Sequence, residues 1–391
     1  MSKINQTPIE EPLALALDGR IPPAVFLLTG CVAVIGCNSL VLSPIAPEVS
    51  RSLDASVQGV MIASAAFGLG TAGSALFLAR HIDRLGAWRM LRLAFAALAA
   101  ALGVSALAPV LAMLVAAQLV AGLAAGVALP AIYTNAATVA PAGRETETVG
   151  IVLTGWTLSL VAGVSLSAVL ADILHWRAVF ALVCLLAVGA FLILALNGRR
   201  DTPSDEPAMA PLAALRTPGL LPLLLACGAF MASFYGVYGY IGAHLAGALG
   251  KPVSANGLLT LVYGLGFGGA VLLDRPVQRL GAHNLLPFAF AFVAAIYLFM
   301  MWGAHSFGIL LAVAFVWGLA NHLGLNMLIV RLSGIAPARR GAIMGLNSAT
   351  TYIAAFAGTL GFGPVYAGFG LPAAAAMAAL LTLVAALSAA R

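Results

Sequence analysis

The side chain best placed to carry a proton within a long apolar stretch of this sequence is His322. Histidine is the residue type that ordinarily gains and loses a proton close to neutral pH, so His322 is a candidate proton-coupling group. Asn326, one helical turn further on, lies on the same predicted helix face. The alternative is a neutral histidine that hydrogen-bonds a neighbouring helix, and the sequence leaves both interpretations open.

Uncharged polar and aromatic side chains also fall within apolar stretches, where they are suited to bind a small molecule. The candidates for such a cavity are Asn38, Gln118, Trp156, Tyr235, Tyr238, Asn326 and Asn347. Each of them alone is equally suited to join two helices. Acidic residues and arginines are absent from the middle of the apolar stretches, which disfavours a strongly cationic or doubly anionic ligand. The sequence therefore predicts a neutral or weakly charged, partly apolar ligand.

The densest group of charges, Ala79–Leu91, lies between two apolar stretches and recurs in part later in the chain. The segment 84–87 matches 279–282, and the segments 120–124 and 140–144 match 316–320 and 336–340. Three matches at nearly one spacing indicate two homologous halves. A charged turn in each half is typical of duplicated membrane proteins.

Enzyme and metal-site signatures are missing from the sequence. It contains no His-Glu-x-x-His, no Gly-x-Ser-x-Gly and no phosphate-binding Gly-rich loop with lysine. The four cysteines, Cys31, Cys37, Cys184 and Cys227, lie in apolar stretches without metal or disulfide spacing. We therefore expect no catalytic residue, no metal, no cofactor and no enzymatic activity.

The composition defines the class of protein. The chain is 62% hydrophobic and 8% charged, with a mean hydropathy of +1.05, and a soluble protein of this length needs more charge on its surface. Its net charge of +6 comes from basic residues in short connections. That placement indicates membrane orientation rather than a nucleic-acid partner.

Apolar stretches of about 20 residues predict an all-α polytopic membrane protein with twelve transmembrane helices in two pseudo-symmetric six-helix halves. The predicted spans are 24–46, 56–79, 89–108, 110–136, 147–171 and 178–197, then 219–243, 253–274, 283–302, 306–330, 341–363 and 371–390. The corresponding division is an N-terminal tail (1–23), a first half (24–197), a polar linker (198–218) and a second half (219–391).

The distribution of basic residues predicts the orientation in the membrane. With both termini in the cytoplasm, only Arg51, Arg177 and Lys251 of the 19 lysines and arginines lie outside. The first twenty residues carry acidic groups and no apolar centre, so no cleavable signal is expected. We predict a multi-pass protein of the cell membrane, the inner membrane of a bacterium, with both termini cytoplasmic.

The predicted helices repeat in character with a period of three. The first, fourth, seventh and tenth carry the polar and aromatic groups and should face a water-filled interior. The third, sixth, ninth and twelfth are almost wholly apolar, as expected for contact with lipid. The second, fifth, eighth and eleventh are rich in glycine, alanine and serine, which lets helices pack closely and slide.

By these features the sequence resembles the major facilitator superfamily over nearly its whole length. The family signature between the second and third helices is matched by Asp83, Arg84, Gly86, Arg89 and Leu91. Three positions depart from it: Ala79 replaces the leading glycine, and Ala87 and Trp88 replace basic residues.

The resemblance implies that this signature forms a conformational latch on the cytoplasmic side. Asp83 and Arg84 would help to close that side in the outward-open state, with Gly86 and Arg89 in the same turn. Arg279 and Gly281 are the matching residues of the second half. Asp83 is expected to face the positive end of the eleventh helix near residue 340. The alternative is that these charges only set topology.

Within the family the sequence is similar to the twelve-helix drug and sugar efflux branch. Trp176-Arg-Ala-Val-Phe180 matches a corner of that branch, and Gly155 and Gly163 match its glycine-rich fifth helix, although the usual Gly-Pro pair is absent. Gln118 stands where the family has an arginine associated with proton coupling.

The resemblance implies proton-linked efflux by alternating access. The expected partners are a small-molecule substrate, protons and the lipid bilayer, and the chain is expected to act as a monomer. Uptake, proton-coupled or facilitated, is an alternative, and a non-transporting membrane sensor or scaffold on the same fold is a further one.

Overall fold

A computed structural model describes residues 21–78, 81–141, 144–196, 201, 211–274, 276–277, 282–336 and 339–390. Within these ranges the side chains of residues 83, 84, 145, 146, 282 and 283 lie outside the description. The structural statements that follow concern this part of the chain.

The described residues form helices long and apolar enough to cross a membrane. The first six are α1 (Pro23–Ser52), α2 (Val57–Phe77), α3 (Ala87–Leu107), α4 (Leu111–Val139), α5 (Glu145–Leu158, the π-helical turn Ser159–Val164 and Ser165–Ile173) and α6 (Trp176–Leu196). The next four are α7 (Leu220–Gly247), α8 (Val253–Gly269, continued by the 3₁₀ turn Ala270–Leu273), α9 (Ala282–Gly303) and α10 (Phe307–Ile335). The last is Arg340–Ala389.

This last helix of 50 residues is two membrane spans. At 1.5 Å per residue it would be about 75 Å long, far more than a bilayer needs. Gly370 interrupts it with φ 74° and ψ −171°, a conformation that glycine tolerates. Pro372, which suits the first turn of a helix, follows at once. Residues 340–369 are therefore α11 and residues 371–389 are α12, so the twelve predicted helices are confirmed in the described part of the chain.

Several helices run past their predicted ends. α1 continues to Ser52 through Pro44 and Pro47, and α11 continues to residue 369 through Pro364. Proline is tolerated inside membrane helices because neighbouring groups satisfy the freed backbone carbonyls. Hydropathy marks the apolar part of a helix and misses such extensions.

The helices alternate in direction, so one side of the molecule carries the α2–α3, α4–α5, α6–α7, α8–α9 and α10–α11 connections. We call this the linker side, which the sequence predicts to be cytoplasmic, and the opposite one the far side. α1–α6 and α7–α12 form the two halves, which meet where α1 packs on α7, α2 on α11 and α5 on α8. The outer helices α6, α9 and α12 expose large apolar side chains such as Leu186, Phe288 and Leu387, as expected for contact with lipid.

Paired glycines build the same close helix contact in each half. In the first half, a Cβ atom at Gly70 would collide with the Leu119 carbonyl, and one at Gly122 with the Phe67 carbonyl. In the second half, Gly266 meets the Phe315 carbonyl and Gly318 the Tyr263 carbonyl in the same way. The four positions correspond one to one along the chain, so α2–α4 and α8–α10 repeat one arrangement. The structure therefore shows, as equivalent helix contacts, the internal repeat that the sequence predicts.

Candidate functional site

Two adjoining cavities lie where α1, α2, α7 and α11 cross between the halves. Neither has free space for more than about one water molecule. Both are lined by Ser39, Ser64, Tyr235 and Thr359. Because the same residues border both cavities, we treat them as one central cavity. Its further lining residues are Leu40, Ser43, Met61, Phe67, Gly68, Tyr238, Gly239, Tyr352 and Ala355.

The lining of the central cavity is uncharged and amphipathic. Serine, threonine and tyrosine hydroxyls donate and accept hydrogen bonds, while the rings of Phe67, Tyr235 and Tyr352 supply apolar contact area. Sites for drug-sized ligands usually measure about 300–1,000 Å³. The free space here is far smaller than that, so in this conformation the cavity is closed to such a ligand.

Close backbone contacts join the halves toward the far side. The Ser43 hydroxyl on α1 donates to the Tyr238 carbonyl on α7. A Cβ atom at Gly242 would lie 2.8 Å from the Ser43 carbonyl oxygen, and one at Gly257 on α8 would lie 2.6 Å from the Ser165 carbonyl oxygen on α5. These contacts close the far side above the central cavity.

Two of the predicted cavity residues, Tyr235 and Tyr238, line the central cavity. Asn38 and Gln118 are buried and bond to each other: Asn38 Nδ2 donates to Gln118 Oε1 over 3.1 Å, and Gln118 Nε2 donates to Asn38 Oδ1 over 3.3 Å. Gln118 Nε2 also donates to Ser105 Oγ over 3.1 Å. In this conformation the two amides join α1, α3 and α4.

The other three predicted cavity residues lie away from the central cavity. Trp156 on α5 donates its Nε1–H to the Tyr133 hydroxyl on α4 over 3.3 Å. Asn347 is buried on α11, with no partner for its side-chain oxygen among the described residues. Asn326 is half-buried on α10. The central cavity as it stands therefore contains none of these three side chains.

The predicted proton site has an acidic neighbour. His322 Nε2 lies 3.2 Å from both carboxylate oxygens of Asp274, and the side chains are 15% and 22% exposed. The ring of Phe267 meets the imidazole edge to face at 5.0 Å. The sequence places Asp274 at the end of a span, where the structure also has it, but it did not indicate the contact with His322. The 3₁₀ turn that prolongs α8 carries Asp274 alongside the longer helix α10 and brings the two groups together.

The turn between α2 and α3 is held by an acid from the linker. Gly86 has φ 91°, and the Asp201 carboxylate accepts hydrogen bonds from the backbone N–H groups of Trp88 over 2.7 Å and Arg89 over 3.0 Å. A Cβ atom at Gly86 would collide with Asp201. The predicted latch thus includes a carboxylate at the positive end of α3 that no sequence motif indicated.

The remaining latch residues are only partly described. Asp83 and Arg84 lie on the short helix Ile82–Leu85, but their side chains are outside the description, as are Arg279 and Gly281. The predicted contact between Asp83 and the start of α11 stays a prediction.

The Trp-Arg-x-x-Phe corner at the start of α6 has a structural role. The Arg177 guanidinium donates to the Ala108 carbonyl over 2.7 Å and to the Ser52 hydroxyl over 3.4 Å. It also lies 4.4 Å from the centre of the Trp176 ring. This arginine therefore ties α6 to the α3–α4 connection and to the end of α1.

Sequence reasoning missed several lining residues, above all Ser39, Ser64, Tyr352 and Thr359. Small hydroxyl residues are common in membrane helices, so their type alone gave no signal. The internal repeat offered one: the spacing that aligns Gly122 with Gly318 aligns Ser39 with the predicted cavity residue Tyr235.

The fold and this uncharged cavity between two halves define a membrane carrier built by duplication. The sequence profile of the Major Facilitator Superfamily matches residues 28–359. The chain therefore belongs to this family of membrane transporters, as the sequence predicted.

Individual proteins support the assignment. The chain is 27% identical over 382 residues to the uncharacterized MFS-type transporter YwfA of Bacillus subtilis (strain 168), covering 95% of this chain and 90% of that one. It is 28% identical over 275 residues to a chloramphenicol resistance protein of Streptomyces lividans, covering 68% and 69%. The crystal structure of the human organic anion transporter MFSD10 (TETRAN) superposes with a TM-score of 0.75 at 17% identity, covering 94% of this chain and 100% of that one. This last similarity concerns the fold.

Proposed function

We propose that this transporter exports a neutral or weakly charged amphipathic small molecule in exchange for protons. The proposal rests on the chemistry of the central cavity. Its described lining contains both hydroxyl and aromatic side chains and no charged one. A permanently charged substrate would need an opposite charge there, since desolvating an unpaired ion is costly. The cavity is suited to a molecule that hydrogen-bonds and also has an apolar surface.

Efflux is the direction that the relatives favour. One similar protein is named for chloramphenicol resistance, and export is one way in which a membrane carrier confers resistance. The chain also has a Trp176-Arg-Ala-Val-Phe180 corner that resembles that of the efflux branch. Within this corner, Arg177 donates a hydrogen bond to the Ala108 carbonyl. Uptake would use the same fold, so a functional measurement has to decide between them.

The proposal places the linker side in the cytoplasm and the far side outside. The sixteen-to-three distribution of lysine and arginine supports this orientation. In a variant without the four native cysteines, a cysteine at Ser254 should react with an impermeant thiol reagent added to intact cells, and one at Ser204 should react only after lysis. Reaction of both in intact cells would contradict the orientation.

Ligand-induced stabilisation tests the substrate class. The purified protein is melted with a panel of neutral amphipathic compounds, beginning with chloramphenicol, and with size-matched permanent cations and dianions. A ligand at 100 times its dissociation constant stabilises the folded state by about 2.7 kcal/mol. We expect stabilisation by neutral compounds and not by the charged ones.

A matched pair of variants ties the effect to the cavity. Ser64→Leu fills the central cavity and should abolish the stabilisation, whereas Ser388→Leu on the outer helix α12 should retain it. Stabilisation only by charged compounds, or stabilisation that survives Ser64→Leu, would refute the proposed substrate class.

A further inference from the structure

We propose that Asp274 and His322 form a single proton-binding pair, set apart from the substrate cavity, and that this pair is where protons couple to transport. The proposal rests on the proposed function, since it names the proton site of that same carrier. It replaces a lone histidine with a carboxylate–imidazole pair and places proton and substrate at different locations.

The pair has a defined geometry. One imidazole nitrogen is equidistant, at 3.2 Å, from the two carboxylate oxygens. His322 follows Asn321, the middle residue of the 29-residue helix α10, so the pair is well within the molecule. With a proton on His322 the pair is an ion pair without net charge. Without that proton a carboxylate remains there, which a largely buried site in a membrane disfavours.

The first half has no counterpart to this pair. The spacing that aligns Gly122 with Gly318 also aligns His322 with Gly126 and Asp274 with Leu78. Gly126 packs directly on the Thr71 carbonyl and the Ser74 hydroxyl of α2. Where the first half has a close glycine contact between α2 and α4, the second half has two titratable groups between α8 and α10. The pair is therefore a feature in which the second half differs from the first at corresponding positions.

Other titratable groups on the surrounding helices are occupied or distant. On α8, the Tyr263 hydroxyl accepts from Asn321 over 3.1 Å, and on α9 the Tyr297 hydroxyl accepts from Trp317 over 3.2 Å. On α10, Arg331 donates to the Ala389 carbonyl over 2.5 Å. On α5, the exposed pair Arg144–Glu147 is at the start of the helix. On α1, Glu48 pairs with Arg51 near its far-side end.

On α7, Tyr235 and Tyr238 contact Phe234, and His244 near the far-side end of the helix hydrogen-bonds the Ala304 carbonyl over 2.7 Å. Arg275, which follows Asp274 in the sequence, lies outside the described residues. In the described part of the chain, the acid of the pair therefore has His322 as its ionic partner.

A continuous series of aromatic contacts joins the pair to the cavity. Phe267 contacts His322 at 5.0 Å and Tyr263 at 6.2 Å between ring centres. Tyr263 contacts Phe234 at 5.7 Å, and Phe234 contacts Tyr235 at 5.1 Å. Tyr235 lines the cavity, but neither Asp274 nor His322 does.

The same segment of α8 also contacts the other half. Next to Phe267, a Cβ atom at Gly268 would lie 2.7 Å from Thr157 Cγ2 on α5. Loss of the proton thus acts on a helix that touches both the cavity-lining aromatic cluster and the opposite half. Proton and substrate are coupled through the position of α8 rather than by competition for one side chain.

The first test needs no substrate. The melting temperature of the purified protein is measured between about pH 5.5 and 8.5, a range that spans the ordinary titration of histidine. The proposal requires that removal of either partner of the pair changes how the melting temperature depends on pH. Asp274→Asn and His322→Gln should each flatten this dependence, while the matched controls Asp54→Asn and His305→Gln should retain it. A profile that is the same in the wild type and both pair variants would overturn the proposal.

The second test uses proteoliposomes and radiolabelled chloramphenicol. Exchange of label at equal pH reports transport alone, and accumulation in an acidic lumen reports antiport. A gradient of one pH unit is worth about 1.36 kcal/mol, so one proton per substrate supports accumulation approaching tenfold. Asp274→Asn and His322→Gln should lose the accumulation and keep the exchange. Accumulation retained by either variant would overturn the proposal.

A variant in which the two residues are exchanged distinguishes loss of proton coupling from misfolding of the single variants. Asp274→His combined with His322→Asp restores a carboxylate–imidazole pair, so it should recover accumulation that both single variants lack. If the swap folds and exchanges substrate but does not accumulate it, the pair is not sufficient and the proposal fails. Absence of exchange in the wild type, with the pH-dependent stability present, would instead refute the proposed function and leave the proton pair standing.

Discussion

At the scale of single residues, the buried amides show how one residue type serves two purposes. Asn38 and Gln118 were predicted for the cavity because amides inside a membrane need partners. In the structure they are each other's partners, and Ser105 is the third member. Gln118 is fully buried and lies where the family has an arginine. The contact among α1, α3 and α4 at this position is therefore uncharged.

This role predicts a loss of stability rather than of binding. Gln118→Leu keeps the size of the side chain and leaves Asn38 and Ser105 without their partner. Hydrogen bonds between membrane helices contribute up to about 1.7 kcal/mol each. The free energy of unfolding of the variant should therefore be lower than that of the wild type by about 1 to 2 kcal/mol. The measurement is equilibrium unfolding in detergent, with Asn284→Leu, at an exposed position of α9, as control. Normal stability with lost ligand binding would instead assign Gln118 to the substrate.

The sequence showed which side chains are suited to a cavity, but not which way each side chain points from its helix. Tyr235 and Tyr238, predicted as cavity residues, line the central cavity, and their contact with substrate stays a prediction. Trp156 has the same character, but its indole is directed at Tyr133, and periodicity alone cannot resolve such a rotation. The pairing of His322 with Asp274 was also beyond the sequence, because Asp274 is at the apparent end of an apolar stretch. Only the 3₁₀ continuation of α8 brings it to α10.

At the scale of helices, the apolar stretches were sufficient to predict all twelve spans. Burying a backbone in lipid requires complete internal hydrogen bonding, which a helix provides, so hydropathy and helix formation coincide. The ends were less predictable: α1 extends six residues past its expected end at 46 and includes Pro44 and Pro47. The abundance of glycine in α2 and α8 was evident, but which glycines touch a carbonyl emerges only from the packing.

Gly257 is a glycine that touches a carbonyl and Gly247 is one that does not, and the pair gives a prediction for the far-side contact. A Cβ atom at Gly257 would lie 2.6 Å from the Ser165 carbonyl oxygen across the interface between the halves, whereas one at Gly247 would have nothing within 4 Å. Both substitutions to alanine gain a similar helix propensity. Gly257→Ala should therefore disfavour the far-side-closed conformation, and a penalty of 1.4 kcal/mol would change its population about tenfold.

The measurement is the reactivity of a cysteine placed at Ser39, in a background without the native cysteines, toward an impermeant thiol reagent. In intact cells, Gly257→Ala should accelerate the reaction, and Gly247→Ala should leave the rate as it is. Equal rates in the two variants would mean that the α5–α8 contact does not govern access from the far side.

At the scale of the whole molecule, two repeated halves enclose a small uncharged cavity and close on one side. The reciprocal glycine contacts are present in both halves and hold α2 against α4 and α8 against α10. Among the described residues, the histidine–carboxylate pair lies in the second half. If this pair is the proposed proton site, protons act on one half of an otherwise repeated scaffold and can favour one conformation over the other.

Substrate-driven proton movement tests this account most directly. Proteoliposomes are loaded with a pH-sensitive dye, and chloramphenicol is added outside in the absence of any pH gradient. Antiport requires protons to leave as the compound enters, so the lumen should become more alkaline, and Ser64→Leu should abolish the change. Acidification of the lumen would show co-transport in the direction of uptake. Entry of the compound without a change in luminal pH would contradict proton coupling altogether.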